Sequence, residues 1–341
     1  MHLSVSRRIL CTSWLAFSAV CLATPSLTHA AEPKRVIVVT VTAGFRHSSI
    51  ETAERILQKL ATESQAFTIV ETLRQPSIVI PKKPTAPKAL PADADDNAKK
   101  RFTADTARYQ EAMAKWTPEM EAELKKAQDD TKSQMTETLK KLSPAALDEA
   151  KIDGLIFANT TGDLPLPDKE GLVQWVEKGH AIMGMHSATD TLRMFPGYTS
   201  MMGGEFAGHG SQSALELTAM DPKHPATIGL TSPWSITQEE FYHFKGYEKA
   251  RVHDLWSSPK FPMDKKPDQG KEEHFPVSWV RTQGTGKIFY TSLGHREDIW
   301  DDGELPNRIN PPEIAKAYQK HILGGIRWAL GLAEGSAEPG N

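Results

Sequence analysis

Three histidines, His47, His186 and His295, each stand a few residues beyond the end of an apolar run. His209 and Glu240 lie between the last two, on loops that could close over them. Neutral imidazoles with a carboxylate make a ligand set for zinc or a similar divalent ion, with one coordination position left open. His47, His186 and His209 are the candidate metal ligands. Without a metal the same groups serve as general acids and bases, because histidine titrates near neutrality. No tight metal spacing such as H-E-x-x-H is present, so only folding can assemble the set. Each residue also has a purely structural use: His186 can hydrogen-bond a loop, and His47 can cap the helix behind it.

The elements that must position these residues read as a parallel α/β sheet. Ala181 to Met185 is small or apolar throughout, as a strand buried on both faces requires, and it turns polar at His186-Ser187. Arg35 to Thr42, Asp153 to Ala158 and Lys287 to Ser292 repeat the pattern, and His47 and His295 follow the first and last of these. An open α/β sheet binds ligands outside the carboxyl ends of its strands, so one rim gathers all three histidines. The spacing of Ser48 and Glu51 predicts a capping box opening a helix with Ile50, Ala53, Leu57, Leu60 and Ala61 inward. Pro167 to Gly179 is an amphipathic helix between two strands, and this spacing demands a right-handed crossover. Pro311-Pro312 opens the last helix, with Ile322, Ile326, Trp328 and Leu330 as its apolar face.

Between Pro76 and Leu142 the character changes. Five prolines from Pro76 to Pro91 make a stiff extended run, and Asp93 to Leu142 is charged and helical. Phe102, Tyr109 and Trp116 recur every seven residues as a seam. Glu111–Lys115, Glu121–Lys125 and Glu137–Lys141 have the spacing of i,i+4 ion pairs. Thr117-Pro118 starts a second helix. Residues 76–142 are therefore an insertion carrying a helical hairpin, whose 93–142 stretch offers a surface for a protein partner.

Arg7 and Arg8 precede an apolar run from Ile9 to Ala23, and Thr28-His29-Ala30 resembles a cleavage site. Residues 1–30 are read as a secretory signal peptide cut after Ala30, which implies a periplasmic or secreted protein. Both cysteines, Cys11 and Cys21, fall inside it. The mature chain then has no disulfide, cysteine nucleophile or thiolate ligand. No other apolar run approaches spanning length. A net charge of −3 argues against a nucleic-acid partner. The glycine-rich stretch Met202 to Gly210 lacks the lysine and hydroxyl of a phosphate loop, and no nucleotide cofactor is expected. The α/β domain is drawn as 31–332, with 333–341 as a disordered tail.

The stretches TAGFRHSSI, GLIFANTTGD, GMHSATDT, GGEFAGHG, EEFY, PVSW, GKIFYTSLGH and HILGGIRWALG resemble, in order, the trehalose-utilisation (ThuA-like) family. The resemblance covers roughly 35–75 and 143–332, and plain family members lack the insertion. Where the family reads D-E-W-Y, this chain has Glu239-Glu240-Phe241-Tyr242. The resemblance implies a fold similar to class I glutamine amidotransferases: a flavodoxin-like, doubly wound, mainly parallel sheet with helices on both faces. Those enzymes place a cysteine on the turn that His186 occupies here, so the missing sulfur excludes amidotransferase chemistry. No G-x-S-x-G surrounds Ser187, which makes a serine hydrolase a poor fit. The resemblance implies a sugar substrate, a glycoside or keto-sugar derivative, processed by a hydrolase, lyase or isomerase. His186, Glu240 and His295 are then the expected catalytic residues, and Arg46, Asp190 and Tyr242 the expected hydroxyl-binding ones. The competing expectation is a non-catalytic carbohydrate-binding or scaffold protein on the same fold.

Overall fold

The computed structural model describes residues 1–2, 32–260 and 275–340. The expected signal peptide and its cleavage point lie almost wholly outside the described residues. Chain contacts separate Met1–Glu32 from Pro33–Asn341, and the second unit carries every element named below.

The first unit of the sheet is β1 (Lys34–Val39), α1 (Ile50–Ser64) and β2 (Phe67–Leu73). The helical hairpin follows, with α2 (Asp96–Ala114) and α3 (Pro118–Leu139), and then α4 (Pro144–Glu149). Next come β3 (Gly154–Ala158), α5 (Lys169–Glu177), β4 (Ala181–Met185) and α6 (Pro196–Met202). A run of short strands ensues: β5 (Glu205–His209), β6 (Ser213–Ala219), β7 (Trp234–Glu239), β8 (Tyr242–Lys245) and β9 (His253–Ser258). The chain closes with β10 (Phe275–Gln283), β11 (Gly286–Thr291), α7 (Glu297–Trp300) and α8 (Pro312–Ala329).

Among the described residues nine strands form one sheet in the order β2-β1-β3-β4-β11-β10-β9-β6-β7, while β5 and β8 pair separately. The strands from β2 to β11 in that order are parallel to one another. Ala158 of β3 pairs with Met185 of β4, which pairs with Thr291 of β11, so these strands end on one line. The chain leaves β1 toward β2 on one side and resumes at β3 on the other, which opens a crevice between their carboxyl ends.

Alternation along the strands sorts side chains into two layers. Val36 and Val38 of β1 face Ile56 of α1 and belong with Ile322 and Ile326 of α8. Ile37 and Val39 face the other way, into a layer with Leu139 of α3, Leu172 of α5 and Met201 of α6. Gly325 lets α8 sit directly on β11, since a Cβ there would lie 2.5 Å from the Phe289 ring. The fold is thus the α/β sheet with helices on both faces that was expected.

The mainly parallel sheet has an antiparallel side, and several local expectations are corrected. The strands from β10 outward, β10, β9, β6 and β7, are antiparallel extensions of the parallel half. Only two residues join β10 to β11, too few for a parallel crossover. The expected Ser48–Glu51 capping box does not form: α1 starts one residue later, with Ser49 before it giving no side-chain cap, and Glu51 pairs with Arg46 instead. The hairpin helices form, with Asp95 and Thr117 capping them. The aromatic seam of α2 is only half-buried, and α2 has no fully buried residue. Met135 and Leu139 of α3 anchor the hairpin to the core. Of the three expected i,i+4 pairs only Glu111–Lys115 forms; Glu121 pairs with Lys83, and Lys141 with Glu71. The tail is docked rather than loose: Trp328 Nε1 donates to Gly335 O, and Gly340 N donates to Val252 O. Among the described residues no helix is long and apolar enough to cross a membrane.

Candidate functional site

His186 is the first residue past β4, and its φ of 53° puts a non-glycine residue in the left-handed region. That turn ends the strand abruptly and brings the imidazole against Ser292 O, His47 and Tyr242. Asn159, the first residue past β3, has a matching φ of 56°. Its Nδ2 donates to Ser49 Oγ (2.7 Å) and Gly294 O (3.0 Å), tying the loops after β1, β3 and β11 together. Those ties hold His47 and His295 in place beside His186.

The three imidazoles converge. His186 Nε2 lies 3.2 Å from His47 Nε2, and the His295 ring centroid is 5.4 Å from each of the other two. Glu240, on the turn between β7 and β8, brings Oε2 to 3.2 Å from His295 Nδ1 and 3.7 Å from His186 Nε2. One ligand atom from each of His47, His186, Glu240 and His295 lies within 4.8 Å of all the others. His209 meets the other carboxylate oxygen, Oε1, at 3.4 Å and is half-exposed. The structure therefore groups Glu240 and His295 with His47 and His186, and leaves His209 one contact further out.

Hydrogen bonds set the tautomer of His186. Its Nδ1 donates to Ser292 O at 2.9 Å, which leaves Nε2 as a bare acceptor. Tyr242 donates to that nitrogen at 2.7 Å. Burial pushes the Tyr242 phenol well up, so it stays a donor. Desolvation, with the neighbouring imidazoles, holds His47 down at about 4 and His186 well below the ordinary histidine value. Burial pulls His295 down too, but the close Glu240 carboxylate outweighs it and raises the pKa above the usual value. Glu239 is fully buried, which lifts it to about 7, and its Oε1 accepts from His295 N at 2.9 Å.

This donor set fits a divalent cation. Two neutral imidazoles present nitrogens to a shared space, and the buried Glu240 Oε2 and His295 Nδ1 face each other across 3.2 Å without a well-aligned hydrogen bond. Buried polar atoms of this kind need a partner, and a metal ion is one.

Of the expected hydroxyl-binding residues, Tyr242 is in the cluster. Arg46 is turned away to Thr40 O and Glu51, and Asp190 pairs with Arg193. Sequence reasoning missed the part played by Asn159 and by Glu239. The polar stretch after β3 was the available signal for the first; the second was visible only as a family position occupied by a different acid.

The trehalose-utilisation family model, ThuA, matches residues 102–329. The chain belongs to the ThuA family. The match starts inside α2, so it leaves out β1 and His47, and takes in the other three cluster residues. No curated protein matches this ThuA-family chain. Among solved structures it is similar to a ThuA-like protein from Parabacteroides merdae, at 14% identity and a TM-score of 0.53, with 89% of this chain and 93% of that one covered. A ThuA-like protein from Bacteroides uniformis gives 14% identity, a TM-score of 0.47, and coverage of 90% and 95%. A cold-adapted β-galactosidase from Rahnella sp. R3 gives 13% identity, a TM-score of 0.33, and coverage of 53% and 23%. The first supports the fold; the other two are too loose to bear on function.

Proposed function

We propose that this chain is an exported carbohydrate-processing enzyme acting on a glycoside or keto-sugar derivative at the histidine–glutamate cluster. The observation that carries the reading is the convergence of three imidazoles and one carboxylate, from four separate loops, at the carboxyl rim of the sheet. The substrate class is supported by the family's link to trehalose utilisation. A divalent ion such as zinc, held by His47, His186, Glu240 and His295, would supply Lewis-acid polarisation of a carbonyl or a water.

The chain's own groups do the rest. Glu240 moves the proton: its carboxylate faces the cluster through Oε2, while Oε1 lies 3.4 Å from His209 Nδ1, whose N–H also donates to Gly210 O and steadies the carboxylate from the half-exposed side. The Tyr242 hydroxyl, kept protonated, donates a hydrogen bond within the cluster. Glu239 holds the His295 backbone from behind. Burial of His186 and His47 excludes water from the reacting side.

The test is elemental analysis of the purified protein beside turnover of keto-disaccharides, for the native chain, His186→Ala and Glu240→Gln. About one metal per chain is expected, lost with turnover in His186→Ala, and kcat falls roughly 10²–10⁴-fold in Glu240→Gln. A native protein that neither holds metal nor turns over any such sugar ends the proposal, as do two fully active variants.

A further inference from the structure

The loop that delivers His47 to the cluster has a second side. Against it opens a cleft of about 570 Å³, within the roughly 300–1,000 Å³ of small-molecule sites. Gly44 and Arg46 form one wall. The insertion forms the opposite wall, through Ile78 and Ile80 of the proline-rich run and Gln128 and Lys132 of α3. Arg46 pairs with Glu51 and Asp163 with Lys169, so among the described residues the charge left in the lining is the single ammonium of Lys132, beside the neutral Thr42, Gln75, Gln128 and Thr131. Such a lining suits an uncharged, hydroxyl-rich ligand better than a phosphate.

Phe45 stands between the two places. Its neighbours Gly44 and Arg46 line the cleft, while its ring lies edge-on to His47 with centroids 4.8 Å apart. The backbone around it is pinned to the loop after β3: Ala43 N donates to Thr161 O (2.9 Å), and Thr161 Oγ1 donates to Phe45 O (2.7 Å). Yet the side chain is 67% exposed. A rigidly mounted, uncovered aromatic face beside a polar cluster gains free energy when an apolar ligand face covers it.

We propose that the cleft is a second sugar subsite, taking the outer ring of an extended carbohydrate whose inner ring sits at the cluster, with Phe45 packing between the rings. This rests on the carbohydrate reading of the cluster and deepens it: the insertion makes this chain selective for substrates of two or more rings.

Isothermal titration tests it, with trehalose, maltose and cellobiose against glucose, on the native chain, Phe45→Ala and Gln128→Trp, the last placing an indole in the cleft from an exposed helix position. Circular dichroism confirms that the variants fold. At least one disaccharide is expected to bind the native chain tenfold or more tighter than glucose, and both variants abolish that margin. Equal affinities for one and two rings, no binding of any of the four, or a margin untouched by Gln128→Trp overturns the subsite. If the margin exists and is lost in Gln128→Trp while no sugar is turned over, the subsite stands and the enzymatic reading falls. If keto-disaccharides are turned over with a KM indifferent to Gln128→Trp, the enzyme stands and the subsite falls.

Discussion

Replacing Asp298 by Asn gives a stability change whose size and pH dependence both follow from the structure. Asp298 sits in α7, just past the His295 loop, and is only 3% exposed. Its two oxygens accept from Arg296 Nε and Nη2 (both 2.9 Å), Ile309 N (2.7 Å), Asn310 N (3.1 Å) and Asn310 Nδ2 (2.8 Å). Burial by itself raises the carboxyl pKa, but these donors, Arg296 foremost, hold it at about 2 against an ordinary 3.8. A depression of that size corresponds to about 2 kcal/mol of folding free energy. The contribution is fully present above the unfolded pKa and disappears as pH falls through the folded one. Asp298→Asn keeps the shape but removes the charge and turns an amide against existing donors, so the loss near neutral pH is about 2 kcal/mol or somewhat more. Urea unfolding of both proteins at several pH values reads it. The gap between them stays constant from about pH 7 to pH 5 and closes below about pH 4. A gap that persists unchanged to about pH 2, or is under about 0.5 kcal/mol at neutrality, refutes the reasoning.

Two further outcomes are expected. Gly325→Ala drives a methyl into the Phe289 ring and lifts α8 from β11, which lowers stability by about 1–3 kcal/mol in a thermal melt. An unchanged melting temperature contradicts the direct seating of helix on sheet. His321 is buried and held near 4 by desolvation, so it is neutral in the fold and charges on unfolding. Stability then rises between about pH 4 and 6.5 by roughly 1.4 kcal/mol per unit from this group, and His321→Gln flattens the slope by about one proton.

The parallel half of the sheet was legible because a strand buried on both faces leaves a continuous apolar run, and His47, His186 and His295 each follow one. Strand direction in the other half was not, because direction is set by what the strand pairs with and not by its own residues. The failed capping box has the same kind of cause. Ser49 is the residue before α1, but its hydroxyl is claimed by Gly294 O, which is 245 residues away. His209 was expected on a loop, yet it ends a strand, β5, paired with β8, which places the imidazole at the outer oxygen of Glu240. The docking of the tail depends on Val252, a contact no local composition announces.

The backbone bend at position 186 has a consequence of its own. Its aim is set by the strand beneath it and the left-handed dihedral, not by the imidazole it happens to carry. The Cα–Cβ bond of any side chain installed at that corner leaves in the same direction, toward the space between the loops of His47, Glu240 and His295. The scaffold is thus a mount whose fitting can be exchanged, and a new reaction on it calls for a new residue at one address instead of a new architecture.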